Sequence, residues 1–460
     1  MLARSKTAAL NVVVGRSERV TQRTPFDYDH ITRHQSRLAF AVKTAVLELS
    51  RIKNLHISRG NLALADSSYK EIIELLDAPA PLLETVEIVD ANLPVNLFAG
   101  VSPVLTGLVL SACSFNMQLP IAANLRTLKL CNAPAESKVP VDQFISALST
   151  MTRLEVLHVI DSLDHHHDDE DDTVRRHDDG VTVQSPPVLR VAKLPELTEL
   201  SIDTLLTNCI FFLDHIVSPT FTRVSVKYRM DLAGMDDMDD DISVVRGFAE
   251  KFGPRVRGPI RSMKLHKNSI KVWRSLHTSS SSRPASPPDL EVSLPVLSTY
   301  EPAAECFIRS LDLTHMESLI FDCPFSLDLL KTYFSDLIHL TTVQIAGKYA
   351  IVLLSALAVG LPRSRSATGA GPSKLKFLTL ETLGIRGWDF EEAPTVFHML
   401  KSCLMGRKRA GTPLSILIMD DCVVDANEDL HVDQLRAAVL RKLVWNGLHI
   451  RALSIDSDDE

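Results

Sequence analysis

A chain of 460 residues, 45% of them hydrophobic, has material for a sizeable core, which excludes a wholly disordered protein. The net charge of −8 leaves no basic footprint for nucleic acid or for an anionic membrane surface, so neither is expected as a partner. Seven cysteines, an odd number without a C-x-x-C pair, argue against a disulfide framework or a structural zinc site and fit an intracellular compartment, cytoplasmic or nuclear.

In chain order, the first 23 residues are rich in Arg and carry Glu18 as their one acid, a composition found in mitochondrial transit peptides. Leu10-Asn-Val-Val-Val14 lacks helical spacing, however, and reads as a first strand. Thr24 to His34, with Pro25, reads as a loop, and Leu38 to Leu49 as a helix leading into a degenerate repeat strand, Ile52-Lys-Asn-Leu55-His-Ile57. Ser68-Tyr-Lys-Glu71 has the form of a capping box and opens a short helix that Pro79 and Pro81 stop.

The stretch that organises the rest is Leu105-Thr-Gly-Leu108-Val-Leu110-Ser-Ala-Cys113-Ser-Phe115, which fits the leucine-rich-repeat pattern L-x-x-L-x-L-x-x-N/C-x-L with Phe for the final Leu. Leu414-Ser-Ile-Leu417-Ile-Met419-Asp-Asp-Cys422-Val-Val424 repeats it near the end. Looser copies begin at Leu83, Leu125, Leu154, Leu197, Met316, Leu340 and Leu375, with short strands at Val224 to Val226 and Met263 to Leu265 and a weak repeat near Val188 to Val191. Helical spacing fills the gaps at Val141 to Met151, Cys209 to Ile216, Ile242 to Phe252, Leu327 to Phe334, Ala350 to Leu361 and Pro394 to Leu404. A last helix, Glu428 to Leu443, is expected to cap the array.

The fold expected is an α/β leucine-rich-repeat-like solenoid, with a curved parallel sheet on the concave side and helices on the convex side, built as one domain over residues 1–460. Charged or Ser/Pro-rich composition predicts disordered insertions at about 161–180, 230–241 and 278–288, with an acidic tail at 456–460.

No catalytic set stands out, and no catalytic residue, cofactor or metal is expected. His165, His166 and His167 beside Asp168, Asp169 and Glu170 supply metal-type ligands, but on a segment with nothing rigid to fix their geometry, so a solvated loop is the preferred reading. Asp236 to Asp241 lacks EF-hand spacing, and Gly369-Ala-Gly371-Pro-Ser-Lys374 lacks the G-K-[ST] ending of a phosphate loop. Cys113 and Cys422 fall at the turn after a strand, where a thiol serves packing. Strand parity turns Glu87, Val109, Lys129, His158, Ser201, Ile320, Gln344, Thr379 and Ile418 to the open face, with Phe377 and Ile416 one step earlier on the same parity. Val109, Ile320, Phe377, Ile416 and Ile418 are apolar, which marks them as candidate partner-binding residues; burial under a neighbouring loop is the competing reading.

The lead-in Leu2-Ala-Arg-Ser-Lys-Thr-Ala-Ala-Leu10, the phrase Ala78-Pro-Ala-Pro-Leu-Leu-Glu84 and the closing Val444-Trp445-Asn-Gly resemble fungal F-box proteins with degenerate leucine-rich repeats. That resemblance implies a protein-interaction scaffold in which the repeats hold a substrate, while an F-box ahead of them docks on the adaptor of a cullin-type ubiquitin ligase. The chain opens on what corresponds to the family's repeat region, so the expectation is a substrate-recognition module without its F-box, binding the adaptor only if an upstream F-box exists. The alternatives are a metal-binding or enzymatic protein using the His/Asp insertion, and a structural array with no ligase role.

Overall fold

A computed structural model describes residues 8–14, 28–59, 66–117, 123–164, 191–218, 223–229, 238–253, 258–276, 286–293, 300–359, 376–390, 394–425, 429–446 and 449–451. Two compact units divide the chain, Met1–Met235 and Asp236–Glu460.

The first unit runs β1 (Leu10–Val14), α1 (Tyr28–Val46), β2 (Ile52–Ser58), α2 (Asp66–Glu74), β3 (Thr85–Val89), β4 (Gly107–Ser111), β5 (Thr127–Cys131), α3 (Val141–Leu148), β6 (Val156–Ile160), β7 (Ala192–Lys193), β8 (Glu199–Leu205), α4 (Leu206–His215), β9 (Ile216–Val217) and β10 (Arg223–Arg229). Strands β1, β2, β3, β4, β5, β6, β8 and β10 lie side by side in that order and all pair parallel, while β7 pairs with β9. Register aligns Leu55, Val86, Leu108, Leu128, Leu157, Leu200 and Val224 in one row, each within a few per cent of full burial. Burial of such a side chain stabilises by about 1.5–3 kcal/mol, and only stacking completes it, because a single repeat leaves its apolar side uncovered. Behind the strands, Phe144 of α3 stacks on Phe212 of α4 with ring centroids 6.0 Å apart.

The second unit runs α5 (Met238–Phe252), β11 (Ser262–His266), β12 (Ser269–Trp273), β13 (Leu290–Ser293), α6 (Tyr300–Ser310), β14 (Ser318–Asp322), α7 (Leu327–Leu329, continuing as a π turn Leu330–Phe334), β15 (Thr342–Ala346), α8 (Ala350–Leu357), β16 (Thr382–Arg386), α9 (Pro394–Arg409), β17 (Ile416–Asp420), β18 (Val423–Asp425), α10 (Asp429–Ala438), β19 (Lys442–Asn446) and β20 (His449–Arg451). Its strand order is β13, β12, β11, β14, β15, β16, β17, β19, and Met263, Leu319, Val343, Leu383 and Leu417 form the buried row. Pairing is parallel from β11 onward, but β12 is antiparallel to both β11 and β13. The reason is local: Lys267 and Asn268 alone join β11 to β12, and so short a link closes a hairpin but not a parallel crossover. The fold is thus the expected α/β leucine-rich-repeat-like solenoid, with one antiparallel meander in an otherwise parallel ladder.

The repeat turns off its strand by one device. The first residue after β3, β4, β5, β6, β16 and β17 is Asp90, Ala112, Asn132, Asp161, Gly387 or Asp421, each with φ between 46° and 63°. In that left-handed pose its N–H donates to a carbonyl of the neighbouring strand, the last one in every case but Asp161, as Ala112 does to Cys131 at 2.7 Å and Asp421 to Asn446 at 2.9 Å. Asp, Asn and Gly tolerate the pose; Ala112 does not by nature, and the ladder holds it there. The next residue packs inward, so Cys113 brings its thiol 3.4 Å from the carbonyl of Ile88 and Cys422 brings its own 3.6 Å from that of Ile385. Burial pushes both thiols up to about 11, away from nucleophilic reactivity.

Asp161 adds a charge clamp to its turn, accepting from Arg229 and from Lys138, each at 2.7 Å. These bonds, Arg229 first, hold its carboxyl below the ordinary 3.8. A depressed carboxyl stabilises the fold above the ordinary carboxylate pKa and loses that contribution as pH falls through the folded value. Asp161→Asn is therefore expected to melt lower than the parent at neutral pH, with the gap closing on acidification below about pH 4. A gap unchanged across an acid titration would count against the clamp.

Several sequence expectations are corrected. Helix α1 starts at Tyr28, inside the segment read as a loop. Strand β6 pairs directly with β8, and of the weak repeat expected near Val188 to Val191 all but Val191 lies outside the described residues. Residues 161–164 belong to the turn after β6, where Leu163 is buried and bridges Val139, and α5 begins at Met238 within the second expected insertion. At the third, the Ser286 carbonyl accepts from the Trp273 indole at 3.0 Å. The remainder of all three insertions, and the tail at 456–460, lie outside the described residues. Toward the C-terminus the expected capping helix ends early: α10 stops at Ala438, and β19 adds a further parallel strand against β17. Finally, the repeat placed at Leu375 is instead Leu380-x-x-Leu383-x-Ile385, because only that register sets Gly387, at φ 63°, where the chain must turn.

Candidate functional site

In a strand buried on one side, alternate residues face outward. Across β14, β15, β16, β17 and β19 of the second unit the central outward row is Ile320, Gln344, Gly384, Ile418 and Val444. The row beside it, toward the strand ends, is Asp322, Ala346, Arg386, Asp420 and Asn446. An apolar band therefore runs alongside a charged one.

Gly384 interrupts that band. It sits mid-strand between Gln344 and Ile418, and a Cβ there would come 2.8 Å from Gln344 Cγ. Gln344 Cγ thus takes up the place of the missing side chain, and a hollow of about 250 Å³ lies beside the pair. Ile320 and Gly384 lie on its floor with Gln344 beside them, and Lys264, Asp322, Arg386, Asp420, Asp421 and Asn446 surround it. The rim charges are matched unevenly. Lys264 Nζ meets Asp322 at 2.5 Å, Arg386 Nε reaches Asp421 at only 3.5 Å, and Asp420 accepts from the neutral amide of Asn446 at 2.8 Å.

The five residues expected to bind a partner separate. Ile416 and Ile418 are half-buried neighbours on the outward side of β17. Ile320 lies in the same central row as Ile418, but it is only 5% exposed: Lys264 is its partner in β11 and reaches past it to Asp322. Phe377 is not in a strand at all; it is buried, at φ 54°, in the connection entering β16, because the register there is five residues later than the sequence suggested. With that correction Gly384 takes the outward place assigned to Thr379. Val109 is half-buried on β4 of the first unit, between Glu87 and Lys129.

The outward side of the first unit has a different character. Its own polar pairs cross it: His56 meets Glu87 at 2.8 Å and His158 meets Glu199 at 3.0 Å, and the ion pairs Arg223–Glu199 at 3.4 Å and Lys227–Asp203 at 3.0 Å join them. A larger hollow, about 520 Å³, opens beside the turns after β2 and β3. There Arg59 lies over the Tyr69 ring, pairs with Asp66 and reaches Asp90 at 3.6 Å, so its charge is met from within the chain.

Sequence reading missed Gly384 and the rim charges. The signal was present as a glycine between Leu383 and Ile385, since glycine inside a strand often marks the close approach of another group. Among the described residues no group of three His, Cys, Asp or Glu side chains is arranged to hold a metal ion, and no helix is long and apolar enough to cross a membrane. The His165 to His177 cluster lies outside the described residues.

No family model matches the chain, and no curated protein matches it. Among solved structures, a chain of the crystal structure of a TLR13–ssRNA13 complex is similar with a TM-score of 0.34 and 11% identity, over 87% of this chain and 43% of that one. This chain thus spans less than half the length of that neighbour, and the likeness carries no argument about function. The fold rests on its strand ladders and turns.

Proposed function

We propose that the chain is a protein-interaction scaffold that holds a protein partner on the outward strand side of its second unit, over the hollow at Gly384. The observation that supports this most is the glycine itself. A mid-strand glycine costs roughly 0.5–1 kcal/mol relative to a residue with a side chain, and here it lies at a hollow lined by the buried Ile320, Ile345 and Ile385 and by charged groups. The Gln344 stem packs over the glycine, and the hollow that remains beside it, rimmed by charged side chains, is the place open to another chain.

Within that reading, the finer role is substrate receptor for a ubiquitin ligase, supported by the likeness of Ala78 to Glu84 and of the closing Val444-Trp445-Asn-Gly to F-box proteins with degenerate repeats. Gly384→Val separates site from scaffold, since Gly384 lacks the left-handed φ that would strain a valine. A valine Cβ must push the Gln344 stem aside, so the variant is expected to melt somewhat below the parent yet stay folded at the assay temperature, while losing the partner from proximity labelling in cells. Identical labelling by both forms would sink the docking site. Depleting the chain should then lengthen the half-life of the protein lost; an unchanged half-life would leave a scaffold without the ligase role.

A further inference from the structure

We infer that the hollow above Gly384 receives a cationic side chain, Arg or Lys, carried by an extended segment of the partner; this rests on the reading of that strand side as the docking surface. Room is the first consideration. A hollow of about 250 Å³ holds several waters, room for the outer part of a long side chain rather than only for a methyl group.

Chemistry of the wall is the second. The backbone at Gly384, with the small part of Ile320 that Lys264 leaves uncovered, offers a narrow apolar floor for an aliphatic stem, while the charged row begins two residues further along each strand. Long basic side chains are built for such a boundary, stem on apolar surface and head in a polar zone.

Charge balance decides the sign. Three carboxylates, Asp322, Asp420 and Asp421, face two cations, Lys264 and Arg386. Lys264 is committed to Asp322 at 2.5 Å, and Arg386 lies 3.5 Å from Asp421. Asp420, whose hydrogen bond comes from a neutral amide, holds the charge left over. An incoming guanidinium or ammonium would gain a charge-assisted bond to Asp420 and would reinforce the loose contact at Asp421. An incoming carboxylate would meet the same excess as repulsion, and a plain aliphatic side chain would cover the floor but leave Asp420 with no cation.

The test uses the full chain and a defined probe, a capped pentapeptide with Arg at the centre of four alanines, titrated by nuclear magnetic resonance. Controls carry citrulline, the neutral isostere, or Glu at the centre. The Arg peptide is expected to shift resonances of β15, β16 and β17, to weaken about tenfold or more with citrulline or with Asp420→Asn, and to weaken with added salt. Gly384→Val, which closes the hollow, should abolish it. Equal affinity for Arg and citrulline, stronger binding of the Glu peptide, no effect of Asp420→Asn in a variant that melts like the parent, or no binding of the Arg peptide at millimolar concentration would each overturn the inference. In every one of those cases loss of a protein partner by Gly384→Val would still support the docking surface, so the two readings fail separately.

Discussion

Leu417→Asp is expected to unfold the second unit, whereas Ile418→Asp, one residue further along the same strand, is expected to leave it folded. Leu417 is fully buried in the inward row between Leu383 and Leu443. A carboxylate placed there has no cation to meet it, and an unpaired buried charge costs about 3 kcal/mol or more, a large part of the roughly 5–15 kcal/mol that holds a domain together. Ile418 is half-buried on the outward side, where a carboxylate keeps its water. Leu108→Asp should behave in the first unit as Leu417→Asp does in the second, because Leu108 occupies the equivalent row. Ile320→Asp is the informative intermediate: its parity is outward, yet Lys264 and the neighbouring strands cover it, so it should melt between the other two. Thermal melts of the four variants decide the matter. Equal loss by Leu417→Asp and Ile418→Asp would show that the outward side is covered or that the strand register is wrong.

Particular residues show how much was legible in the sequence. The two-residue alternation of a strand is a property of its backbone, so the inward leucines of β4, β5, β6 and β17, and their stacking into a repeat fold, followed from spacing alone. Ile320 did not, because its cover comes from Lys264 on β11, 56 residues earlier, and no local pattern records which strands become neighbours. Phe377 was misread for a different reason. Leu375-x-x-Leu378-x-Leu380 and Leu380-x-x-Leu383-x-Ile385 share Leu380 and fit the repeat equally well, and what separates them is the left-handed turn at Gly387. A glycine two residues after the second pattern was a cue of turn chemistry, and apolar spacing alone passed over it. The hollow at Gly384 was lost with the register, since one shifted strand changes which residues face outward. The strand β19 was hidden likewise: Leu440-x-x-Leu443-x-Trp445 carries the repeat, but Asp429 to Ala438 before it is helical and the two were read as one helix.

Arg407→Ala is expected to cost about 3 kcal/mol, and the pattern across substitutions should reveal why an arginine is buried in α9 at all. The side chain is fully buried. Its guanidinium donates to the carbonyls of Lys376, at 3.2 Å, and Phe377, at 2.7 Å, and burial lowers its pKa. Each charge-assisted bond contributes about 1.5–3 kcal/mol, but taking the cation out of water offsets part of that gain, so the two bonds together stabilise less than their sum. What they accomplish is placement. Phe377 is in the left-handed region, its N–H donates to Ser335 at 2.9 Å, and from it the chain enters β16, the strand that carries Gly384. Alanine would leave both carbonyls without the guanidinium and open a cavity; methionine would fill the space without the charge and should recover about half of the loss. Lysine keeps the charge, but a single ammonium head lacks the planar fork that spans two adjacent carbonyls, so Arg407→Lys should be no better than Arg407→Ala. Denaturant melts rank the three, and hydrogen exchange at Phe377, Leu380 and Thr382 should speed up in step with them if the fork fixes the entry to β16. A lysine variant as stable as the parent would mean that charge alone, and not the two-pronged geometry, holds the segment in place.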